Sequence, residues 1–138
     1  MAKLHCVVVT PEMTVLEEDL DFLVLPLYDG EIGLAPLHGP MIGRLGYGEM
    51  RIKQGETTTR YYVDGGFVQL VDDQVSVLTN HAIPAEKLDD EDAKSQLNAA
   101  LAREAHSIEE LEIRDRLESQ ARAKIKVAER YAESQKRF

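Results

Sequence analysis

The distribution of glycine and proline constrains the fold of this chain more than any other feature of its sequence. All 9 glycines and 5 prolines lie at or before Pro84, and none follows as far as Phe138. The residues after Pro84 are mainly Ala, Glu, Lys, Arg, Gln and Leu, which favour helices, whereas turn-forming residues recur throughout the first part. The sequence therefore predicts a strand-rich first part followed by a helical second part.

The first part, from Leu4 to about Ile83, has the pattern of many short strands. Met50 and Ile52 alternate with charged neighbours, and Val75 and Val77 alternate in the same way, as in strands with one buried face. Short strands separated by frequent turns predict a β-sandwich or a barrel. The turn signals are Asp29-Gly30, His38-Gly39-Pro40, Gly48, Gln54-Gly55, Gly65-Gly66 and Asp72-Asp73.

The second part has the pattern of two helices separated by a break near Ala105-His106. Asp89 or Asp90 is suited to cap the first helix. Ser107 and Glu110 have capping-box spacing at the start of the second helix. In such a box the Ser107 hydroxyl accepts a hydrogen bond from the Glu110 amide, and the Glu110 carboxylate accepts one from the Ser107 amide. A short break predicts an antiparallel hairpin. Its expected apolar stripes are Ala93, Leu97, Ala100 and Leu101 in the first helix and Ile113, Leu117, Ala121, Ile125, Ala128 and Ala132 in the second.

These stripes are narrow and rich in alanine, so their burial contributes little free energy for the backbone that is ordered, at roughly 25 cal/mol per Å² of apolar surface. We therefore expect a hairpin that is only marginally docked and able to detach.

Charge and cysteine content restrict the possible partners and the compartment. The 138 residues carry a net charge of −9, which disfavours nonspecific binding to nucleic acid or anionic lipid. Residues 1–106 hold 18 Asp/Glu and 8 Lys/Arg, but residues 119–138 hold 6 Lys/Arg and 2 Asp/Glu. The single cysteine, Cys6, forms no internal disulfide, and the apolar runs are too short to cross a bilayer. We expect a cytosolic chain without a leader and with a locally basic tail.

Residue types suited to catalysis are sparse and scattered. The four histidines have no metal-ligand spacing, and neither a phosphate-binding loop nor a nucleophile-elbow motif occurs. Cys6 lies in an apolar strand pattern, which favours a structural role. We therefore expect no independent catalysis and no cofactor or metal. An alternative outside enzymology is a free adaptor whose hairpin dimerises, although the alanine-rich stripe is short for a coiled coil.

Two motifs carry a resemblance to a known family. Residues 28–41 read YDGEIGLAPLHGPM, an acidic-glycine turn followed by G-x-x-P-x-H-x-P, and residues 62–68 read YVDGGFV, a strand that enters a Gly-Gly turn before a strand pair. Together with the helical tail, their order and spacing resemble the epsilon subunits of bacterial-type proton-translocating ATP synthases over essentially the whole chain.

The resemblance implies a β-sandwich over residues 1–86 and an antiparallel two-helix hairpin over residues 87–138. It implies a non-catalytic subunit of the central stalk, or rotor, that couples the catalytic head to the membrane-embedded ion-translocating ring. It also implies a regulatory hairpin that inhibits ATP hydrolysis, and a peripheral location on the cytoplasmic face of the bacterial cell membrane. The implied partners are the gamma subunit, the c-subunit ring and, through the hairpin, the catalytic alpha and beta subunits.

The same resemblance assigns residues to these contacts. The ring-facing turn consists of Tyr28, Asp29, Gly30 and Glu31, and the residues on or near the gamma-facing surface are Thr10, His38 and Met41. The expected inhibitory contacts with the catalytic subunits are Arg114, Arg116, Arg122, Lys124, Lys126 and Arg130. From the residues alone, Asp29 is equally well a solvated turn residue, His38 a structural hydrogen-bonding group, and the basic residues an ordinary solvated helix face.

The chain departs from the family at a nucleotide-binding pattern. Some epsilon subunits bind ATP through L-D-x-x-R-A, and the corresponding run here is Leu88-Asp89-Asp90-Glu91-Asp92-Ala93. A carboxylate at Asp92 replaces the arginine and repels a triphosphate. Asp89, Arg122 and Lys126 remain the candidate ATP contacts, and we expect weak or absent binding.

Overall fold

The computed structural model describes residues 2–136, and its internal contacts separate the chain into two units, one ending at Pro84 and one beginning at Ala85. The first unit contains the strands β1 Leu4–Val9, β2 Thr14–Leu20, β3 Phe22–Leu27, β4 Gly30–Leu34, β5 Met41–Gln54, β6 Thr57–Val71, β7 Gln74–Leu78 and β8 Ala82–Pro84. The second contains a short 3₁₀ turn, Ala85–Lys87, and the helices α1 Asp90–Ala102 and α2 Ile108–Gln135. No helix within residues 2–136 is long and apolar enough to cross a membrane.

The strands form one hydrogen-bonded network in the order β2-β1-β7-β6-β5-β3-β4, with β8 paired to β6. Side chains from strands at opposite ends of this order, such as Leu20 on β2 and Leu34 on β4, belong to one buried cluster. The sheet therefore folds over on itself and encloses its core as a sandwich. The predicted fold class, a β-sandwich followed by a helical hairpin, is confirmed.

Strand alternation builds the sandwich core as the sequence predicted. Met50 and Ile52 on β5, and Val75 and Val77 on β7, are buried. Cys6 on β1 is also buried, and burial first, with the Glu18 carboxylate second, raises the pKa of its thiol to about 12. Such a thiol stays protonated, in keeping with a structural role.

The Gly65-Gly66 pair lies within one continuous strand, so the expectation of a turn at this position was wrong. Both residues have positive φ, +71° and +107°, and a Cβ atom built on Gly66 would lie 1.8 Å from the Leu78 carbonyl oxygen. Before this point β6 pairs with β8, and after it β6 pairs with β7. The two glycines thus allow β6 to bend and change partner without a clash.

The hairpin helices begin at the expected caps. Asp89 precedes α1, and its carboxylate accepts hydrogen bonds from the amides of Glu91 and Asp92. Ser107 precedes α2, and its hydroxyl accepts from the Glu110 amide at 3.1 Å. The Glu110 carboxylate, however, accepts from the amide of His106 at 2.7 Å and not from that of Ser107, so this half of the predicted capping box was wrong by one residue.

Most of the predicted apolar stripes face the interior of the hairpin. Ala93, Ala100, Ala121 and Ala128 are buried, together with Val127. Leu101 is exposed, because α1 ends one residue later and its last turn leaves this position toward solvent. Ala132, near the end of α2, is exposed as well. The buried side chains of the hairpin are therefore small, as the composition predicted.

Candidate interaction surfaces

The outward side of β5, β6 and β7 carries exposed apolar residues. Phe67 stands opposite Arg44 on β5 and opposite Leu78 on β7, and Ile42 lies in the next row opposite Gln69. Ile42 is 76% exposed, Phe67 59% and Leu78 53%. Val71, four residues beyond Phe67 on β6 and therefore on the same side of the sheet, is also exposed. We call Ile42, Phe67, Val71 and Leu78 the outer face.

The outer face is unusual because antiparallel sheets commonly present polar residues to water on their solvated side. Here the neighbours that point inward, such as Val68 and Val77, are buried and apolar too. A contiguous exposed apolar patch with a polar border marks an interaction site. The border on the β2 side is acidic, since Glu17 pairs with Val7 and Asp19 pairs with His5.

Sequence reasoning missed the outer face, although a signal was present. Met41-Ile42, Phe67-Val68 and Val77-Leu78 are adjacent apolar pairs within strands. Because neighbouring residues of a strand point to opposite sides, each pair places apolar groups on both surfaces. An apolar residue at a strand position where alternation predicts a polar one would therefore have indicated this patch.

The predicted ring-facing turn joins β3 to β4 beside the outer face. Leu27 pairs with Gly30, which has φ +142°, so Tyr28 and Asp29 form a two-residue connection. Tyr28 is exposed, and the Arg44 guanidinium carbon lies 4.6 Å from the centre of its ring. Arg44, opposite Phe67 in the sheet, thereby joins the turn to the outer face.

Glu31, the last residue assigned to this turn, is held from within the sandwich. Arg51 donates to both of its carboxylate oxygens at 3.2 Å and also to Glu49 at 2.8 Å. Arg60, directly opposite Arg51, donates to the same Glu49 oxygen at 3.0 Å. Partial burial acts to lower the pKa of Arg51, but the hydrogen bonds to Glu49 and Glu31 outweigh it and raise the pKa. Glu31 is thus paired with Arg51, and both Glu31 and Asp29 remain exposed.

The three residues assigned to the gamma-facing surface lie in different environments. Thr10 is nearly buried, and its hydroxyl donates to the Met13 carbonyl oxygen at 3.3 Å. Met41 is half-buried and packs against the sandwich core. His38 is exposed, with Nδ1 2.7 Å from the Gly39 carbonyl oxygen. Only His38 of the three presents its side chain to solvent.

The basic residues of α2 divide into two sets. Arg122, Lys126 and Arg130 are exposed at four-residue spacing, which places them on one side of the helix, and Arg116 is exposed too. Arg122 donates to Glu118 at 3.1 Å. Arg114 and Lys124 are half-buried, and Lys124 donates to Gln96 of α1 at 3.3 Å. Lys124 therefore contacts α1 across the hairpin.

Of the candidate ATP contacts, Asp89 caps α1, and Arg122 and Lys126 are exposed on α2. The Asp89 carboxylate occupies the first amides of α1, where a phosphate would otherwise be received. A groove of about 560 Å³ lies between the helices and is lined by Gln96, Ala99, Ala100, Ala102, Arg103, Leu117, Gln120 and Lys124. Its lining includes neither Asp89 nor Arg122 nor Lys126. Within residues 2–136, no group of three or more His, Cys, Asp or Glu is arranged to hold a metal ion.

Comparison with known proteins gives a consistent result. Residues 3–85 match the family model of the ATP synthase, Delta/Epsilon chain, beta-sandwich domain. The ATP synthase epsilon chain of Rhodopirellula baltica is 44% identical over 125 residues, which cover 91% of this chain and 98% of the relative. That of Syntrophobacter fumaroxidans is 35% identical over 136 residues, which cover 93% of this chain and 97% of the relative.

Solved structures resemble the fold. A chain in the Euglena gracilis mitochondrial ATP synthase (OSCP/F1/c-ring) matches with a TM-score of 0.74 at 19% identity, covering 98% of this chain and 82% of that one. A chain in the Tetrahymena thermophila mitochondrial ATP synthase (central stalk/c-ring) matches with a TM-score of 0.73 at 12% identity, covering 91% and 96%. At these identities the likeness extends to the fold alone.

Proposed function

This chain belongs to the ATP synthase epsilon-chain family, whose members are non-catalytic subunits, and we propose that it acts as a rotor subunit of the central stalk. In this role it couples the catalytic head to the ion-translocating ring of c subunits. The observation that carries the proposal is the outer face, an exposed apolar patch on an otherwise acidic protein.

The outer face is the surface through which the sandwich binds the gamma subunit. Fully burying an isoleucine, leucine or phenylalanine side chain contributes about 1.5–3 kcal/mol. Because Ile42, Phe67 and Leu78 are mostly exposed in the isolated chain, most of this free energy is gained only when a partner covers them. Of the residues assigned to this contact from the sequence, His38 adds an exposed polar group. Thr10 and Met41 support the strands from the interior side.

The β3–β4 turn meets the c-subunit ring. Arg51 fixes Glu31, so the turn is held in one orientation while Tyr28 and Asp29 project from it. Asp29 then supplies the charged contact and Glu31 positions the turn. The chain is thereby peripheral to the membrane, on the cytoplasmic face of a bacterial cell membrane, without inserting into it.

The hairpin restrains ATP hydrolysis by contacting acidic surfaces of the catalytic alpha and beta subunits. The exposed basic side of α2 supports this role, because complementary potentials favour encounter and orientation. Arg116, Lys126 and Arg130 would carry it, whereas Arg114 and Lys124 are half-buried. ATP binding to the isolated chain is weak or absent, since the acidic residues at the start of α1 repel a triphosphate.

The test is ATP hydrolysis by a catalytic head depleted of its epsilon subunit, titrated with the full chain and with a chain ending at Glu86. The shorter chain retains the whole sandwich core. We expect both chains to bind and only the full chain to inhibit. Equal activity with both would remove the inhibitory role, and binding by neither would remove the rotor role.

A charge variant separates the hairpin contact from the presence of the hairpin itself. Lys126→Gln with Arg130→Gln should bind as tightly as the full chain but inhibit less. The matched control, Lys53→Gln with Lys87→Gln, removes the same charge outside α2 and should inhibit normally. Equal loss of inhibition in the two would mean that net charge, and not the basic side of α2, is responsible.

A further inference from the structure

Leu37 combines two features that are unfavourable in the isolated chain. Its φ is +68°, in the left-handed region that residues with a Cβ atom usually avoid. Its side chain is 85% exposed, the largest exposure among the large apolar side chains identified in the described part of the chain. The backbone is strained, and the side chain gains almost no burial in return.

The surrounding structure holds Leu37 firmly in this conformation. Its amide donates to the Asp73 carboxylate at 2.7 Å, and the following amide, of His38, donates to the Ala35 carbonyl oxygen at 3.2 Å. Asp73 is itself fixed, because its carbonyl oxygen accepts from the His5 amide at 2.8 Å. Backbone strain that neighbouring contacts maintain in this way is concentrated at functional positions.

The Asp73 contact also places Leu37 at the end of the outer face. Asp72 and Asp73 form the two-residue turn that follows Val71, and both have positive φ, as a tight hairpin turn requires. Val71 belongs to the outer face and precedes this turn directly. The backbone of Leu37 is therefore tied to the end of the strand pair that carries Phe67 and Leu78.

We propose that Leu37 is an anchor residue that inserts into an apolar socket of the gamma subunit, and that this contact compensates for its strained backbone. The inference rests on the proposed function, because it names a further contact within the gamma interface. The acidic border formed by Glu17, Asp19 and Asp72 indicates that the socket has a basic edge. A second copy of this chain fits less well, since it would bring the same acidic border against itself.

The test compares Leu37→Gly and Leu37→Ala in the full chain, with binding measured to a catalytic head that contains gamma and lacks epsilon. Glycine adopts positive φ without strain, so Leu37→Gly should raise the denaturation midpoint while weakening binding about tenfold or more. Alanine keeps the strain, so Leu37→Ala should weaken binding similarly without raising the midpoint. Opposite movement of stability and affinity in one variant is the expected signature.

The outcomes separate this inference from the proposed function. If the unaltered chain does not bind the head, the proposed function fails. If the unaltered chain binds and Leu37→Gly binds equally well, Leu37 is not an anchor. If binding weakens but the midpoint does not rise, the compensation for strain is refuted. Self-association of the unaltered chain in sedimentation, abolished by Leu37→Gly, would assign the anchor to a second copy and overturn the choice of gamma.

Discussion

The sandwich and the hairpin differ in what they bury and in what they expose. The sandwich buries branched aliphatic side chains completely, such as Leu23, and presents an apolar outer face. The hairpin buries mainly alanine and presents basic residues on α2. Since stabilisation scales with apolar area removed from water, we expect the sandwich to be the more stable unit and the hairpin the less stable one. One chain thus presents an apolar surface on one unit and a basic surface on the other.

The largest expected difference between the two units concerns core truncation. Leu23→Ala should destabilise the sandwich by about 2–5 kcal/mol, because it leaves a cavity among fully buried neighbours. Leu97→Ala in α1 should cost less than about 1 kcal/mol, since Leu97 is half-buried and alanine favours the helix. Urea unfolding followed by strand and helix signals measures both. Equal losses would mean that the hairpin is as well packed as the sandwich.

The next largest loss of stability is expected from a substitution at the bend of β6. Gly66→Ala should cost about 3 kcal/mol or more, because the new Cβ meets the Leu78 carbonyl oxygen and φ is +107°. Gly39→Ala is the matched control, since a Cβ at that position meets no atom within 4 Å apart from those of Gly39 and its two chain neighbours. Thermal unfolding of the two variants checks the comparison. A tolerated Gly66→Ala would show that β6 does not need this bend.

Predictability from sequence followed the same division between the units. Helix boundaries and caps were predictable because they depend on local signals, such as Asp89 and Ser107. The outer face was not predicted, because it depends on which strands pair and in what register, as Phe67 with Leu78. The position of Gly65-Gly66 inside a strand was missed for a related reason. Two adjacent glycines predict a turn when only the local sequence is considered. Their role becomes clear only from the pairing of β6, which changes from β8 to β7 at this point.

Two isoleucines that are exposed to a similar degree, one in the sandwich and one in the hairpin, allow the binding surfaces of the two units to be compared directly. Ile42 on the outer face is 76% exposed and Ile108 in α2 is 74% exposed. Ile42→Ser should weaken binding to the gamma-containing head by roughly tenfold to a hundredfold, if the side chain is buried on binding. Ile108→Ser should leave that affinity unchanged. Comparable losses in titrations of the two variants would argue against a gamma contact confined to the sandwich.

The α2 cap tests whether the hairpin opens separately from the sandwich. Ser107→Ala should cost about 1 kcal/mol, because the Glu110 amide loses its acceptor. Hydrogen exchange should accelerate in α2 and stay unchanged in β5 and β6. Ser119→Ala, at an exposed position within the same helix, should slow exchange slightly, since alanine is the better helix former. Acceleration in the strands as well would mean that the two units open together.

The smallest predicted change in stability concerns the β1–β2 pair at the edge of the sandwich, where charged side chains of the two strands contact each other. His5 lies 2.9 Å from Asp19 through Nδ1 and 2.9 Å from Glu17 through Nε2. Hydrogen bonds to Asp19 and then to Glu17 raise the pKa of His5 above its ordinary value of 6.5. The protonated ring is thus favoured in the folded state, and its contribution is complete below about pH 6.5 and is lost as the pH rises through the raised value.

His5→Gln should therefore destabilise the protein more below about pH 6.5 than at pH values above the raised pKa, where both forms carry a neutral side chain. Denaturant midpoints across this range measure the difference. The variant Glu17→Gln with Asp19→Asn supplies the control, because it removes both charges that face His5 from β2 and should abolish the pH dependence of the His5 effect. A difference between the unaltered chain and the His5→Gln variant that is constant with pH would show that the ring stabilises the edge strand by packing and not by charge.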